Sequence, residues 1–159
     1  MIGLDDIRAA EERLAGQVRR TPLVEVTQVR TPITEATLTL KLELLQVTGS
    51  FKARGATNRL LATPKQEVAN GIVAASGGNH GLAVARAGAA ARVQTTIFLP
   101  TNASPAKIDK LKGWGAETVV VGDIWDESNV EALAFAAERG AAYFHPFADP
   151  LVVAGQGTV

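Results

Sequence analysis

The chain has no cysteine and only two histidines among its 159 residues. The missing cysteines exclude disulfides and thiolate metal sites, and two histidines without further ligands do not predict a metal centre. Charge of neither sign is in excess, since lysine plus arginine and aspartate plus glutamate each number 16. This balance gives no electrostatic reason to expect a nucleic-acid or membrane-surface partner.

Long apolar runs are also missing, although hydrophobic residues make up 47% of the chain. No run approaches the roughly 20 residues that a helix needs to span a bilayer. The N-terminal stretch MIGLDDIRAAEERL is charged and helix-like, and it does not resemble a signal peptide. We therefore predict a cytoplasmic protein with a sizeable core and no membrane partner.

Short apolar segments alternate with longer helical ones from residue 71 onward. The predicted strands are GIVAAS, TTIFLP, ETVVVG and the start of AAYFHPF. Helical stretches beginning near Asn79, Ser104 and Asp126 separate them. Strands of about five residues that alternate with helices of ten or more favour parallel βαβ units. The predicted fold class is α/β, an open, mostly parallel twisted sheet with helices on both faces.

The flanking segments carry weaker patterns. Residues 4–16 have helical apolar spacing, the alternating TLTLKLEL (37–44) predicts a strand, and a helix is expected from about Ser50 to Leu61. The final LVVAGQGTV predicts a strand-like apolar segment that leads into a glycine turn. In open α/β sheets such a step is where a ligand loop usually begins.

The stretch TGSFKARGA, residues 48–56, places a lysine at the start of a helix. With Ser50 as N-cap, Lys52 falls at the second helical position, where the helix macrodipole disfavours its charge by ~0.3–1 kcal/mol. Repulsion from Arg54 and apolar cover from Phe51 would act in the same direction. A neutral lysine is a nucleophile that forms a Schiff base with an aldehyde. A solvated surface lysine is the alternative, and this motif alone does not decide.

The stretch SGGNHG, residues 76–81, follows a predicted buried strand and leads into a helix. Such a turn directs several backbone N–H groups toward one point and predicts a cradle for phosphate or carboxylate. The spacing differs from Gly-x-Gly-x-x-Gly, and the Gly-Lys-Ser/Thr of a P-loop is missing, so neither nucleotide motif is predicted. An ordinary strand-to-helix turn is the alternative.

Four motifs in order carry a family resemblance: RRTPL, ELLQVTGSFKARGA, SGGNHG and HPFADPLVVAGQGT. Together they resemble the fold-type II pyridoxal-phosphate enzymes, and within these the threonine/serine dehydratase and serine racemase branch. The similarity covers nearly the whole chain. It implies pyridoxal 5'-phosphate as cofactor, a hydroxy-amino acid as small-molecule substrate, and the small domain of a tryptophan synthase β-like fold.

The resemblance also implies roles for individual residues. Lys52 matches the lysine that is linked covalently to the cofactor and acts as general base, and Phe51 matches the residue that flanks the cofactor ring. Asn79 matches the asparagine that contacts the phenolic oxygen of that ring. The residues implied to hold the substrate carboxylate are Ser76, Gly77, Asn79 and His80.

The implied reaction is dehydration and deamination of L-threonine or L-serine to a 2-oxo acid and ammonia. The racemases of the branch are similar but carry a serine where this chain has Gly77. A serine racemase-like relative is therefore one alternative. The other is a catalytically inactive α/β module that only binds a ligand or a partner.

The resemblance extends to the N-terminal portion of such enzymes, with most of the large domain, including its phosphate loop, missing. It implies an N-terminal segment at residues 1–47 that belongs to the large domain. A small α/β domain follows at 48–148, and residues 149–159 begin the truncated large-domain region. A homo-oligomer is possible on the same grounds.

Overall fold

The computed structural model describes residues 1–27, 30–31 and 34–159. Six strands occur in these ranges: β1 Leu23–Glu25, β2 Thr39–Lys41, β3 Ile72–Ala75, β4 Thr95–Leu99, β5 Glu117–Val120 and β6 Ala142–Tyr143. The α-helices in these ranges are α1 Leu4–Leu14, α2 Lys52–Ala62, α3 Asn79–Ala91, α4 Pro105–Gly113, α5 Trp125–Arg139 and α6 Pro150–Gln156. No helix in the described ranges is both long and apolar enough to cross a bilayer.

The main sheet has four parallel strands in the order β5-β4-β3-β6. Side chains along β3 alternate between two cores, as the two-residue period of a strand requires. Ile72 and Ala74 pack into a core with α2, α3 and α4, whereas Val73 and Ala75 face α5 on the other side. Helices therefore cover both faces of the sheet, and the predicted α/β class is confirmed.

The N-terminal part contains a separate two-stranded antiparallel ladder, in which Leu23 of β1 lies opposite Lys41 of β2. The predicted strand over residues 37–44 is wrong at its end, because β2 stops at Lys41 and two short 3-10 turns follow, Glu43–Leu45 and Val47–Gly49. The chain leaves the strand where the Glu43 side chain enters a buried ion pair.

Glu43 and Arg54 form this buried pair, with Oε1 2.7 Å from Nη2 and Oε2 2.9 Å from Nε. The Thr21 hydroxyl donates a third hydrogen bond of 2.6 Å to the carboxylate. Burial alone would raise the pKa of Glu43, but the hydrogen bonds from Arg54 and Thr21 outweigh it and lower that pKa. The pair joins the N-terminal segment to α2.

The C-terminal stretch begins as a helix, so the predicted strand is wrong, whereas a turn at Gly157 and Thr158 follows the apolar segment as expected. Asp149 caps α6 by accepting hydrogen bonds from the backbone N–H groups of Leu151 and Val152, and Pro150 occupies the first helical position. Asp followed by Pro is a helix-start signal that the sequence contains. The buried residues of this helix, Val152, Ala154 and Gly155, lie in its packing against α1 and α2, and Val152 is fully buried.

A close crossing of α2 and α6 depends on glycines at the point of contact. A Cβ on Gly155 would lie 2.7 Å from the Cα of Gly55 and 2.8 Å from the carbonyl oxygen of Arg54. Neither helix backbone can retreat without losing its packing. The crossing links the segment after β6 to the helix that begins at Lys52, and the domain boundaries expected after residues 47 and 148 stay a prediction.

Candidate active site

Three segments meet at the carboxyl-terminal edge of the parallel sheet, where open α/β folds hold their ligands. They are the start of α2, the loop of residues 76–81 after β3, and residues 144–149 after β6, here called the 144–149 turn. The Nζ of Lys52 donates to the carbonyl oxygen of Pro146 at 2.8 Å. The Nε2 of His80 lies 2.9 Å from the carbonyl oxygen of Phe144. The turn thus connects the lysine to the loop.

Lys52 is the first residue of α2, with Phe51 in the cap position. The predicted helix start was therefore one residue too early, and Lys52 is not at the second position. Ser50 still caps in part, because its hydroxyl oxygen accepts a 3.4 Å hydrogen bond from the backbone N–H of Lys52. The side chain emerges at the helix end nearest the sheet edge.

Burial lowers the pKa of the half-buried Lys52 amine. Repulsion from Arg54, which the sequence suggested, is not its source, because the guanidinium of Arg54 points to Glu43. The Phe51 ring centre lies 5.5 Å from Nζ, and the ring is 42% exposed, so it gives the amine partial cover. In the described part of the chain Lys52 has no carboxylate partner. The result is an amine with a raised neutral fraction.

The two residues before Ser50 have left-handed backbone, with φ of 69° at Thr48 and 78° at Gly49. Glycine adopts this region freely, but a β-branched threonine is strained there, at roughly 1–3 kcal/mol. The Thr48 hydroxyl is buried and has no hydrogen-bond partner among the described residues. The sequence does not predict this conformation, since threonine does not favour it.

The 76–81 loop is anchored at one end and open at the other. The backbone N–H of Ser76 donates to Phe98 of β4 at 3.0 Å, and the Ser76 hydroxyl accepts from the N–H of Gly78 at 3.2 Å. A Cβ on Gly77 would meet only the Cβ of Ala103, at 3.8 Å, and one on Gly78 would meet nothing within 4 Å. A ligand can therefore approach the loop backbone and the unpaired N–H groups of the first turn of α3.

Gly81 has a different function from the glycines before it. A Cβ on Gly81 would overlap the carbonyl oxygen of Ser76 and crowd the side chain of Ile97. The glycine lets α3 start directly against the end of β3. This contact keeps the N-terminus of α3 next to the loop.

Asn79 is the first residue of α3 and is exposed. Its side chain makes no hydrogen bond within the described residues. Its amide is therefore available to a ligand that lies over the loop.

His80 is buried, with 3% of its surface exposed. Since a carbonyl oxygen only accepts, the contact with Phe144 assigns the imidazole proton to Nε2. Burial lowers the pKa of His80 to about 4, and the charge of Lys52 adds to the effect. Nδ1 is then a bare acceptor, buried and without a partner among the described residues. The imidazole cannot donate to a carboxylate, so His80 stays a candidate through its backbone N–H.

Aromatic side chains support the 144–149 turn from the α5 side. The Trp125 indole donates to the carbonyl oxygen of Ala75 at 2.8 Å, and its ring centre lies 6.1 Å from His145 and 6.0 Å from Phe147. The Nδ1 of His145 accepts from the N–H groups of Phe147 and Ala148. His145 is thus used within the turn, and the described ranges bring no three potential metal-ligating side chains of His, Asp or Glu together.

A model of the pyridoxal-phosphate dependent enzyme family matches residues 14–159. This chain belongs to that family. The L-threonine ammonia-lyase of Thermotoga maritima is 42% identical over 159 residues, which are 100% of this chain and 39% of that protein. The predicted resemblance to the threonine/serine dehydratase and serine racemase branch is confirmed.

Two solved structures show the same relationship. Maize serine racemase superposes with a TM-score of 0.92 at 32% identity, over 99% of this chain and 47% of that one. The T.th. threonine deaminase superposes with a TM-score of 0.86 at 40% identity, over 98% of this chain and 49% of that one. The chain therefore spans about two fifths to one half of the length of these relatives.

The residues present fit the cofactor of the family. Lys52 supplies a half-buried amine of lowered pKa, which suits covalent attachment to an aldehyde. The open space over Gly77 and Gly78 leaves room for a ligand against backbone N–H groups. The exposed amide of Asn79 lies at the same loop. Pyridoxal phosphate would be held by Lys52 and flanked by these residues.

Proposed function

We propose that this chain supplies the lysine and the carboxylate-binding loop for pyridoxal-phosphate-dependent β-elimination of L-threonine or L-serine. The products are a 2-oxo acid and ammonia, with 2-oxobutanoate from threonine and pyruvate from serine. One observation carries the proposal: the half-buried amine of Lys52, whose pKa burial lowers, and the open 76–81 loop are hydrogen-bonded to the same turn, through Pro146 and Phe144. The likeness to the L-threonine ammonia-lyase of Thermotoga maritima supports this choice of reaction.

When bound, pyridoxal phosphate supplies an electron sink that acidifies the Cα proton of an amino acid attached to it. The protein must then accept that proton at a defined atom. Lys52 does so at Nζ, because burial raises the fraction of its amine that is neutral at physiological pH. The carbonyl of Pro146 orients the amine, since it accepts one of its hydrogens at 2.8 Å.

The loop binds the substrate carboxylate through backbone donors. Gly77 and the first turn of α3, with Asn79 and His80, present N–H groups to the open space over the glycines. The N–H of Ser76 is already used by Phe98, so Ser76 is a candidate through its hydroxyl. The positive end of the helix macrodipole adds to the attraction for an anion. When the cofactor is bound, the side chain of Asn79 would contact its ring oxygen, and Phe51 would cover its ring. The neutral imidazole of His80 fixes the loop against Phe144.

A second candidate is amino-acid racemisation, which the likeness to maize serine racemase favours. Racemisation needs an acid or base on the face of the substrate opposite the lysine. Gly77 has no side chain that could deliver a proton. Elimination is therefore the better-supported reaction. Product analysis with L-serine separates the two, because pyruvate indicates elimination and D-serine indicates racemisation.

A third candidate is a module that folds and binds without catalysis, since the chain spans less than half of each of these three relatives. The deciding experiment uses the 159-residue chain with added pyridoxal phosphate, borohydride reduction and peptide mass analysis. We expect a pyridoxyl group selectively on the peptide that contains Lys52. The exposed Lys65 is the internal control, and Lys52→Ala should remove the label. Diffuse labelling over the exposed lysines would contradict a preformed site.

A further inference from the structure

The 144–149 turn determines where the Lys52 amine lies. Two of its carbonyl groups, separated by one residue, contact the two halves of the candidate site: Pro146 accepts from Lys52, and Phe144 accepts from His80. A shift of the turn would move the amine relative to the 76–81 loop. Whatever holds the turn therefore also sets the geometry of the site.

An ion pair between Arg59 and Asp149 holds the far end of this turn. The Nε of Arg59 lies 2.6 Å from Oδ2 of Asp149, and their side chains are only 19% and 12% exposed. The guanidinium carbon of Arg59 also stands 5.0 Å from the centre of the Phe144 ring. Arg59 therefore contacts both ends of the turn, by charge at Asp149 and by stacking at Phe144.

Lys52 and Arg59 belong to the same helix and share a face. They are about two helical turns apart along α2, so their side chains point in similar directions. One helix thus holds the turn at two points, Lys52 at Pro146 and Arg59 at Asp149. A rigid helix between the two contacts transmits the position of the ion pair to the amine.

Asp149 also caps α6, and the test must separate this role from its ion pair with Arg59. Its Oδ1 caps α6 by accepting from Leu151 and Val152, whereas its Oδ2 meets Arg59. Asparagine is about as good an N-cap as aspartate. The substitution Asp149→Asn therefore keeps the cap and removes the ion pair.

We propose that the Arg59–Asp149 ion pair is a positioning device for Lys52, which fixes the 144–149 turn so that Pro146 holds the amine in its half-buried place beside the 76–81 loop. The inference rests on the proposed role of Lys52. Both members act through the turn and touch no reacting atom, so they are positioning residues.

The test measures the pH dependence of Lys52 acetylation by competitive labelling of the whole chain without cofactor. The midpoint of the profile reports the amine itself. Loss of positioning should hydrate the amine and raise the midpoint by about half a unit, roughly a threefold fall in the neutral fraction below it. Loss of the Asp149 charge alone would act in the opposite direction, because an anion stabilises the ammonium form.

In a double-mutant cycle, the direction in which the Lys52 midpoint shifts distinguishes positioning from a purely electrostatic influence. We expect Asp149→Asn, Arg59→Met and the double variant to raise the midpoint by the same amount, because any one of them breaks the device. A purely electrostatic influence would lower the midpoint in Asp149→Asn and raise it in Arg59→Met. In the double variant the two shifts would cancel. That pattern, or three unchanged midpoints, would overturn the proposal. The other titratable side chains at the turn, His145 within it and His80 and Tyr143 beside it, stay unchanged throughout.

Controls separate positioning from general damage. Asp5→Asn makes the same chemical change in the exposed Asp5–Arg8 pair and should leave Lys52 unaffected. The exposed Lys65 and Lys107 report the intrinsic reactivity of a lysine in every sample. If Arg59→Met does not fold, Arg59→Lys replaces it, because lysine keeps the charge and loses the planar guanidinium. We expect Arg59→Lys to raise the midpoint of the Lys52 profile by a smaller amount. Because no cofactor is present, the result is independent of whether the chain carries out β-elimination.

Discussion

Lys52 and Arg54 are two cations at the start of one helix, and their surroundings differ. Arg54 is buried against Glu43 with two hydrogen bonds, so its charge is neutralised within the fold. Lys52 meets a carbonyl and no carboxylate in the described part of the chain, and burial lowers its pKa. The comparison shows that two cations only two residues apart have different roles. The paired cation secures the helix, and the unpaired one stays available for chemistry.

The largest expected change in the free energy of unfolding follows from removing the charge of Glu43, the partner of Arg54. Glu43→Gln should lower the free energy of unfolding by about 3–5 kcal/mol, because it leaves the charge of Arg54 buried without compensation. Lys52→Met should change it by less than about 1 kcal/mol, since no ion pair is lost. Urea unfolding of both variants checks the contrast. Equal losses would mean that the Lys52 amine also supports the fold.

Two glycines show the same difference between a residue that the packing needs and a residue that belongs to the candidate site. In Gly55→Ala, the new Cβ would lie 2.6 Å from the carbonyl oxygen of Val152, so we expect a loss of up to about 3 kcal/mol. Gly78→Ala is the matched control, because its Cβ meets nothing within 4 Å. It should leave unfolding almost unchanged and weaken pyridoxal-phosphate labelling of Lys52. Two thermal melts and the borohydride assay distinguish these outcomes.

His80 extends the comparison to a group that is neutral because it is buried. Its pKa of about 4 lies below the usual 6.5, so in the unfolded chain it takes up a proton at a higher pH than in the native state. Stability should therefore be present above pH 6.5 and fall as the pH drops toward 4, by about 2 kcal/mol between pH 7 and 5. Denaturant titrations at several pH values measure this slope.

The control for that slope is the other histidine. His80→Gln keeps a donor for the Phe144 carbonyl and should flatten the pH dependence, whereas His145→Gln should leave it in place. An unchanged slope in His80→Gln would show that the native imidazole takes up its proton at the same pH as in the unfolded chain. In that case burial would not lower the pKa of His80.

The sheet could be predicted from the sequence because its signal is local and repeated. Each buried strand from β3 onward is short, apolar and bounded by turn residues, and each helix between them has its own start and stop signals. The prediction for the last segment is wrong because its apolar run is a stronger strand signal than the Asp149–Pro150 pair is a helix-start signal. The predicted strand at residues 37–44 is longer than β2, because the inward turn of Glu43 depends on Arg54, which lies further along the chain.

The candidate site was predictable in its motifs and not in its connections. Lys52 and the 76–81 loop stand out as short patterns with a chemical reason. The 144–149 turn, which brings them together, acts through the backbone carbonyls of Phe144 and Pro146. A carbonyl is present at every residue, so no residue type marks it. The sequence likewise suggested Arg54 as the source of the lowered Lys52 pKa, where the structure gives burial.

The smallest expected effect concerns the strained residue just before the two cations. Thr48→Gly removes the β-branched side chain from a φ of 69°, which should relieve roughly 1–3 kcal/mol. The greater freedom of glycine in the unfolded chain offsets about 0.4–1 kcal/mol of that gain. The variant should therefore be about 1 kcal/mol more stable in urea unfolding, while Thr48→Ala, which keeps a Cβ, should gain less. If Thr48→Gly is instead less stable, the buried Thr48 hydroxyl contributes more than the backbone strain costs.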